Sequence, residues 1–232
     1  MSADKVYENF DNAKTYALEV INSIDVNLAD NFLKVLEFCF KFPEDVGGIS
    51  GVKKFSARWI QIKADHFVKE RSTKPPKVTE LVSDPLIKKI CNLYFDVENL
   101  DLLILNHKFG MAAEQVTGSL LEEYIASKIE PIGWIWCTGK MIRATDFIEF
   151  PELEKSKPVL LQIKNRSNSE NSSSSAIRLG TEILEWHRMD AETGETNWDN
   201  IPNILSRASL TESDFHDFVK LKIDNWRTTQ TT

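Results

Sequence analysis

The sequence predicts an α/β (α+β) fold with a helix-rich N-terminal half packed on a core that holds the strands. Three observations carry this. Through the first hundred residues apolar side chains recur at three- and four-residue spacing, which is the period of amphipathic helices. From Met111 the texture changes, and a helical stretch gives way to short runs rich in aromatic and β-branched residues, bounded by Gly and Pro. Helical spacing then returns near the C-terminal end.

With 232 residues, 42% apolar and 27% charged, the chain has the composition of an ordinary globular protein, long enough for one sizeable core or two small ones. No window reaches eighteen consecutive apolar residues, and the start, MSADKVYENFDNAK, has neither a basic nor an apolar leader region. A cytoplasmic protein without membrane contact is expected. Cys39, Cys91 and Cys137 are odd in number and far apart, with no CxxC or Cys/His pairing, so buried reduced thiols are expected rather than a metal site.

The first helices are VYENFDNAKTYALEVINSI and LADNFLKVLEFCFKF. The loop EDVGGISG breaks the pattern, FSARWIQIKADHFVKER resumes it, and Lys74-Pro75-Pro76 breaks it again before TELVSDPLIKKICNLYFDV. MAAEQVTGSLLEEYIASKIEP places Val116, Leu120, Leu121, Tyr124, Ile125 and Ile129 on one arc, with Glu122 and Glu123 at its margins. GWIWCTGKMIRATDFIEF predicts a hairpin turning at Gly139-Lys140, and PVLLQIKNR a further strand. A serine-rich polar run follows, then an expected helix around IRLGTEILEWHRM, a turn at 192–194 and a last helix near TESDFHDFVKLKIDNW.

The net charge of −7 argues at first against nucleic acid, but its distribution is uneven. Between Lys53 and Lys77 stand eight basic residues (Lys53, Lys54, Arg58, Lys63, Lys69, Arg71, Lys74, Lys77) against Asp65 and Glu70. Between Lys155 and Arg188 there are six basic residues against three acidic ones. Two such segments can line a phosphate-binding cleft if the fold brings them together. Solvated helix faces would give the same composition.

The chemistry concentrates on Asp146, in IRATDFIEF, and Lys164, in QIKNR, a carboxylate and a lysine on neighbouring strand-like segments. Hydrolysis of a phosphodiester needs hard oxygen ligands for a divalent cation and positive charge near the attacking water. Alternation puts Gln162, Lys164 and Arg166 on one face of the strand and Val159, Leu161, Ile163 and Asn165 on the other. Asp146 is expected to share a face with Ala144 and Ile148, a lone carboxylate on apolar surroundings, where an unpaired charge is costly and a metal or Lys partner is favoured. An exposed Asp closing a turn is the plain alternative.

GSLLEEYI, RATDFIEF and LLQIKNR together resemble, in order and spacing, the PD-(D/E)xK nuclease core of type II restriction endonucleases. QIKNRSNSENSSSSAIR, followed by GTEILEWHRMDAETGETNW, is similar to the SinI-type restriction enzymes, so the resemblance spans roughly residues 110–200. It implies a nuclease core with a central mixed β-sheet flanked by helices, and Mg²⁺-dependent cleavage of double-stranded DNA at a short pseudo-palindromic site of GGWCC type. A homodimer and no organic cofactor are implied as well. Residues 1–108 would then be a helical region for dimerisation and DNA-backbone contacts, and 109–232 the nuclease core with its recognition loop, with no linker that forces the two apart.

By position, Asp146 resembles the family's metal-binding aspartate and Lys164 its catalytic lysine. Gln162 stands where an acidic residue is usual, and its amide offers a carbonyl oxygen without charge. Glu122, on the preceding helix, is the candidate to complete the metal set, with Glu123 and Glu170 behind it. The polar run suits DNA contact, since Asn pairs with adenine, Arg with guanine, and Ser with phosphate or base edges. Its candidates are Asn165, Arg166, Asn168, Asn171, Ser172, Ser173, Ser174 and Arg178, with Arg188 beyond. A flexible Ser-rich linker is the bland alternative. At the level of the whole chain, the competing functions are a structure-specific or repair nuclease, a catalytically inactive DNA-binding protein, and a helical interaction protein built on residues 1–100.

Overall fold

The computed structural model describes residues 5–78, 84–95, 99–151, 157–167, 182–202, 205 and 208–230. Among them the helices are α1 (Phe10–Ile24), α2 (Ala29–Lys41), α3 (Ala57–Lys69), α4 (Pro85–Phe95), α5 (Leu100–Ile129) and α6 (Glu212–Gln230). The strands are β1 (Trp134–Trp136), β2 (Phe147–Glu149), β3 (Val159–Arg166) and β4 (Leu184–Met189). They form a mixed sheet in the order β1-β2-β3-β4, antiparallel except for the parallel pair β3/β4. No helix among the described residues is long and apolar enough to cross a membrane.

The chain divides into two compact units, Met1–Ser72 with Glu122–Glu212, and Thr73–Leu121 with Ser213–Thr232. In the first unit, capping sets the helix starts. The Asn9 side chain accepts from the Asn12 amide at 3.0 Å to open α1, and Ser56 accepts from the Trp59 amide at 3.1 Å to open α3. Helix α2 starts without a side-chain cap and is held instead by its apolar stripe of Phe32, Val35, Leu36 and Cys39, all fully buried. Trp59, Ile60 and Phe67 of α3 join this core, as do Ile135 of β1 and Ile148 of β2, so the three helices and the sheet share one apolar interior. Full burial of side chains of this size stabilises by roughly 1.5–3 kcal/mol each. The second unit contains α4, most of α5 and nearly all of α6, and α5 runs on into the first unit from Glu122.

The hairpin turns where the sequence places it. Gly139 and Lys140 both have positive φ (73° and 50°), and β1 and β2 pair through Ile135↔Ile148. Four expectations change. LEWHRM is a strand, not a helix: Trp186 and Arg188 are buried while Glu185 and His187 are less so, a period of two, and the ladder with β3 satisfies its backbone. Ala144 has φ 54° and stands outside β2, so it shares no strand face with Asp146. Cys91 is only half-buried, unlike Cys39 and Cys137. Not all eight basic residues between Lys53 and Lys77 can line a phosphate-binding surface, because Lys63 is 2% exposed and Arg71 is largely buried.

Candidate active site

Asp146 lies one residue before β2 and continues its ladder. Its amide donates to the Leu161 carbonyl at 2.9 Å, and its own carbonyl accepts from the Cys137 amide at 2.8 Å. Pairing between β2 and β3 runs only from Val159 to Leu161, and the Asp146 carboxylate takes the next free donor, the Ile163 amide, through Oδ2 at 2.7 Å. Burial raises its pKa to about 6, against the opposing pull of the Ile163 N–H and the positive charge of Lys164.

Glu122, where α5 enters the first unit, faces the same place. Burial and then the Asp146 charge raise its pKa to about 8, with the Trp136 hydrogen bond opposing and Glu70 adding to the rise. The Trp136 indole Nε1 donates to Glu122 Oε2 at 3.4 Å. Trp136 is itself clamped at the backbone, its amide donating to Glu130 at 3.1 Å and its carbonyl accepting from Arg71 at 2.7 Å. Arg71 and Glu130 pair at 2.7 Å, which closes the clamp.

The connection leading to Asp146 is pinned by α3. Lys63 Nζ donates to the carbonyls of Gly139 and Lys140 at 2.9 and 2.7 Å, and Thr138 Oγ1 donates to the Phe67 carbonyl at 2.6 Å. The Gly139 amide donates to Glu70 Oε2 at 2.9 Å. At Gly139 a Cβ would lie 2.9 Å from the Phe67 amide nitrogen, so the left-handed φ and the close approach both call for glycine. Gly47 is tighter still: a Cβ there would meet the Lys140 carbonyl oxygen at 1.9 Å.

On β3, Gln162 is buried and Lys164 half-buried. Lys164 Nζ stands 3.2 Å from Glu185 Oε2 on β4, a carboxylate that the sequence reading assigned to a helix. On the opposite face Asn165 Oδ1 accepts from Arg188 Nε at 2.9 Å, and Arg188 reaches Glu212 at 2.5 Å. Arg188 is 8% exposed, so it works inside the fold. Arg166, at the end of β3, is exposed. Glu123 is half-buried beside Glu122, whereas Asn168, Glu170, Asn171, Ser172, Ser173, Ser174 and Arg178 lie outside the described residues.

Thus the structure brings Asp146, Glu122, Lys164 and Glu185 into one neighbourhood. Among the described residues, no three or more His, Cys, Asp and Glu side chains gather as a metal cage. Mg²⁺ asks for less, since it is commonly held by one or two carboxylates with water and substrate phosphate completing an octahedron. Two acids whose ionisation is opposed by burial, and for Glu122 also by the Asp146 charge, are a donor set that a divalent cation relieves. The residues present therefore fit the ion. Glu185 and Trp136 are the site members that the sequence reading missed. LEWHRM is too short for its period to mark Glu185 as a strand residue, and nothing local marked Trp136.

The family model for the SinI restriction endonuclease matches residues 13–225. The chain belongs to the SinI restriction endonuclease family. It is 38% identical over 216 residues to the type II restriction enzyme SinI of Salmonella infantis, covering 90% of this chain and 94% of that one. To the type II restriction enzyme Eco47I of Escherichia coli it is 38% identical over 215 residues, covering 90% and 93%. The SinI family match takes in both units and every residue of the site just described.

Proposed function

We propose that this chain is a type II restriction endonuclease that hydrolyses phosphodiester bonds of double-stranded DNA with Mg²⁺, at a short pseudo-palindromic site of GGWCC type. The observation that carries the reading is the convergence of Asp146, Glu122 and Lys164 beside the β2/β3 ladder, in a chain that belongs to a restriction endonuclease family.

Asp146, Glu122 and the carbonyl oxygen of Gln162 are the groups that would hold the cation. Bound there, Mg²⁺ supplies Lewis-acid neutralisation of the scissile phosphate and a more acidic water. The Ile163 amide fixes one Asp146 oxygen and leaves the other for binding. Trp136 orients Glu122 in the same way. Lys164 orients the attacking water and stabilises the negative charge that builds on the phosphorus-bound oxygens during in-line displacement. Arg166 and the polar run after it would contact phosphate and base edges, and the exposed Lys53, Arg58, Lys74 and Lys77 would add backbone contacts.

A two-fold target calls for two equivalent subunits, so the active form is a homodimer. Supporting it, Leu93, Tyr94 and Phe95 of α4 are 76%, 80% and 63% exposed, and Leu102 and Phe109 of α5 are each 51% exposed. Apolar surface of this kind is what subunit interfaces cover. The roles of residues 1–108 in dimerisation and of 109–232 in cleavage and recognition belong to this same proposal. Its test is Mg²⁺-dependent digestion of long duplex DNA by the wild type and by Asp146→Ala. Discrete fragments from the first and none from the second are expected. Uncut linear duplex, with cleavage only of branched DNA, would favour a structure-specific nuclease instead.

A further inference from the structure

The strand that carries Lys164 has Gln162 two residues earlier, on the same face, so β3 itself brings no carboxylate to the lysine. The register of β3 and β4 shows where one is found. Gln162 pairs with Glu185 and Lys164 with His187 in the parallel ladder, and residues opposed across a ladder project from the same face of the sheet. Glu185 therefore joins Gln162 and Lys164. The alternate residues confirm the assignment, because Asn165 of β3 and Arg188 of β4 bond to each other on the other side. Glu185 Oε2 lies 3.2 Å from Lys164 Nζ, with the two side chains 32% and 14% exposed.

We propose that Glu185 is a positioning residue for the cleavage reaction: its carboxylate, delivered from β4 beside Gln162, holds the Lys164 ammonium on the catalytic face next to Asp146. The inference rests on the nuclease reading above. A lysine has a flexible four-carbon stem and loses about 2 kcal/mol of rotamer entropy when fixed, so a site that needs its charge at one place must restrain it. A neutral amide at Gln162 lacks the charge to do so, whereas a carboxylate 3.2 Å from the ammonium supplies it. Glu185 acts through Lys164 and not on the cation. Its carboxylate is engaged with the ammonium, and it does not gather with Asp146 and Glu122 into a three-carboxylate group.

The test compares wild type, Glu185→Gln, Asp146→Ala and, as a control, Glu182→Gln, whose exposed carboxylate pairs with Lys157. Three quantities are measured: the single-turnover rate on a plasmid whose cut sites the wild type has mapped, duplex affinity without Mg²⁺, and the rise in Tm on adding Mg²⁺ alone. Glu185→Gln is expected to slow cleavage roughly 10–100-fold, the range for residues that orient a catalytic group, with DNA affinity and the Mg²⁺-induced rise unchanged. Glu182→Gln should match the wild type. If Glu185→Gln does not fold, Glu185→Asp keeps the charge on a shorter stem and should show a smaller loss of rate with the same unchanged affinities. Wild-type cleavage by either variant overturns the inference, and so does loss of the Mg²⁺-induced rise, which would make Glu185 a metal ligand. Wild-type cleavage by Asp146→Ala would instead overturn the nuclease site itself, whatever Glu185 does.

Discussion

Asp146 and Glu122 are acids that the fold makes reluctant to ionise, and that reluctance gives the site a pH signature. Their ordinary values of 3.8 and 4.5 rise to about 6 and about 8. Between the ordinary and the raised values the folded chain holds protons that the unfolded chain has released. The site's contribution to stability is thus complete below about pH 4 and is lost as pH climbs through 6 and then 8. A cation must displace those protons, so the Mg²⁺-induced rise in Tm should grow from pH 6 to pH 8.5, and a flat profile would contradict the site. Glu122→Gln removes the repelling charge. It should raise the Mg²⁺-free Tm at pH 8.5, by ~2–4 °C for each kcal/mol gained, while cleavage falls at least 100-fold. Lys164→Ala should abolish cleavage and leave duplex binding within a few-fold of wild type in a mobility-shift titration. The nearness of Asp146 and Lys164 was legible in the sequence, since motif order and strand alternation both pointed to them. The ion pair with Glu185 was not, since it depends on which strand lies beside β3.

At the scale of elements, Asp146 is placed by a helix far from it in sequence. The connection from β1 to β2 has little regular structure, and α3 supplies its geometry through Lys63, Phe67 and Glu70. Lys63→Met leaves two inward-facing carbonyls without their donor and should cost ~1–3 kcal/mol, read as a lower urea midpoint. Gly47→Ala forces a Cβ into the Lys140 carbonyl and should cost on the order of 3 kcal/mol, with cleavage weakened as the connection shifts. The helices themselves were readable from apolar spacing, with α1, α2, α3 and the Gly139-Lys140 turn found where expected. The strand β4 was not, because its six residues are too few to separate a period of two from one of 3.6, and its pairing with β3 overrides the local pattern. The basic run from Lys53 to Lys77 was only partly legible for a related reason. Charge counts do not show which cations turn inward, and Lys63 and Arg71 do so to satisfy carbonyls and Glu130.

For the whole molecule, an acidic chain that acts on a polyanion must draw its affinity from local basic surface, and the proposed homodimer would add a second subunit's grip on the same duplex. Substituting Leu93 and Tyr94 together by Glu should shift sedimentation from dimer to monomer and lower cleavage with it, whereas the paired wild-type behaviour would place the interface elsewhere. Fold class and reaction class were both legible at this scale, since helical first half, strand cluster and motif order agree. The division into two units was not, because Thr73–Leu121 and Ser213–Thr232 are far apart in the chain and no linker marks their boundaries. The most direct measurement is digestion of a plasmid of known sequence with every fragment end mapped. In Mg²⁺ the wild type should yield discrete fragments ending at GGWCC-type sites, none without the cation, and none from Asp146→Ala. Absence of Mg²⁺-dependent fragments, or undiminished cutting by Asp146→Ala, would contradict the account.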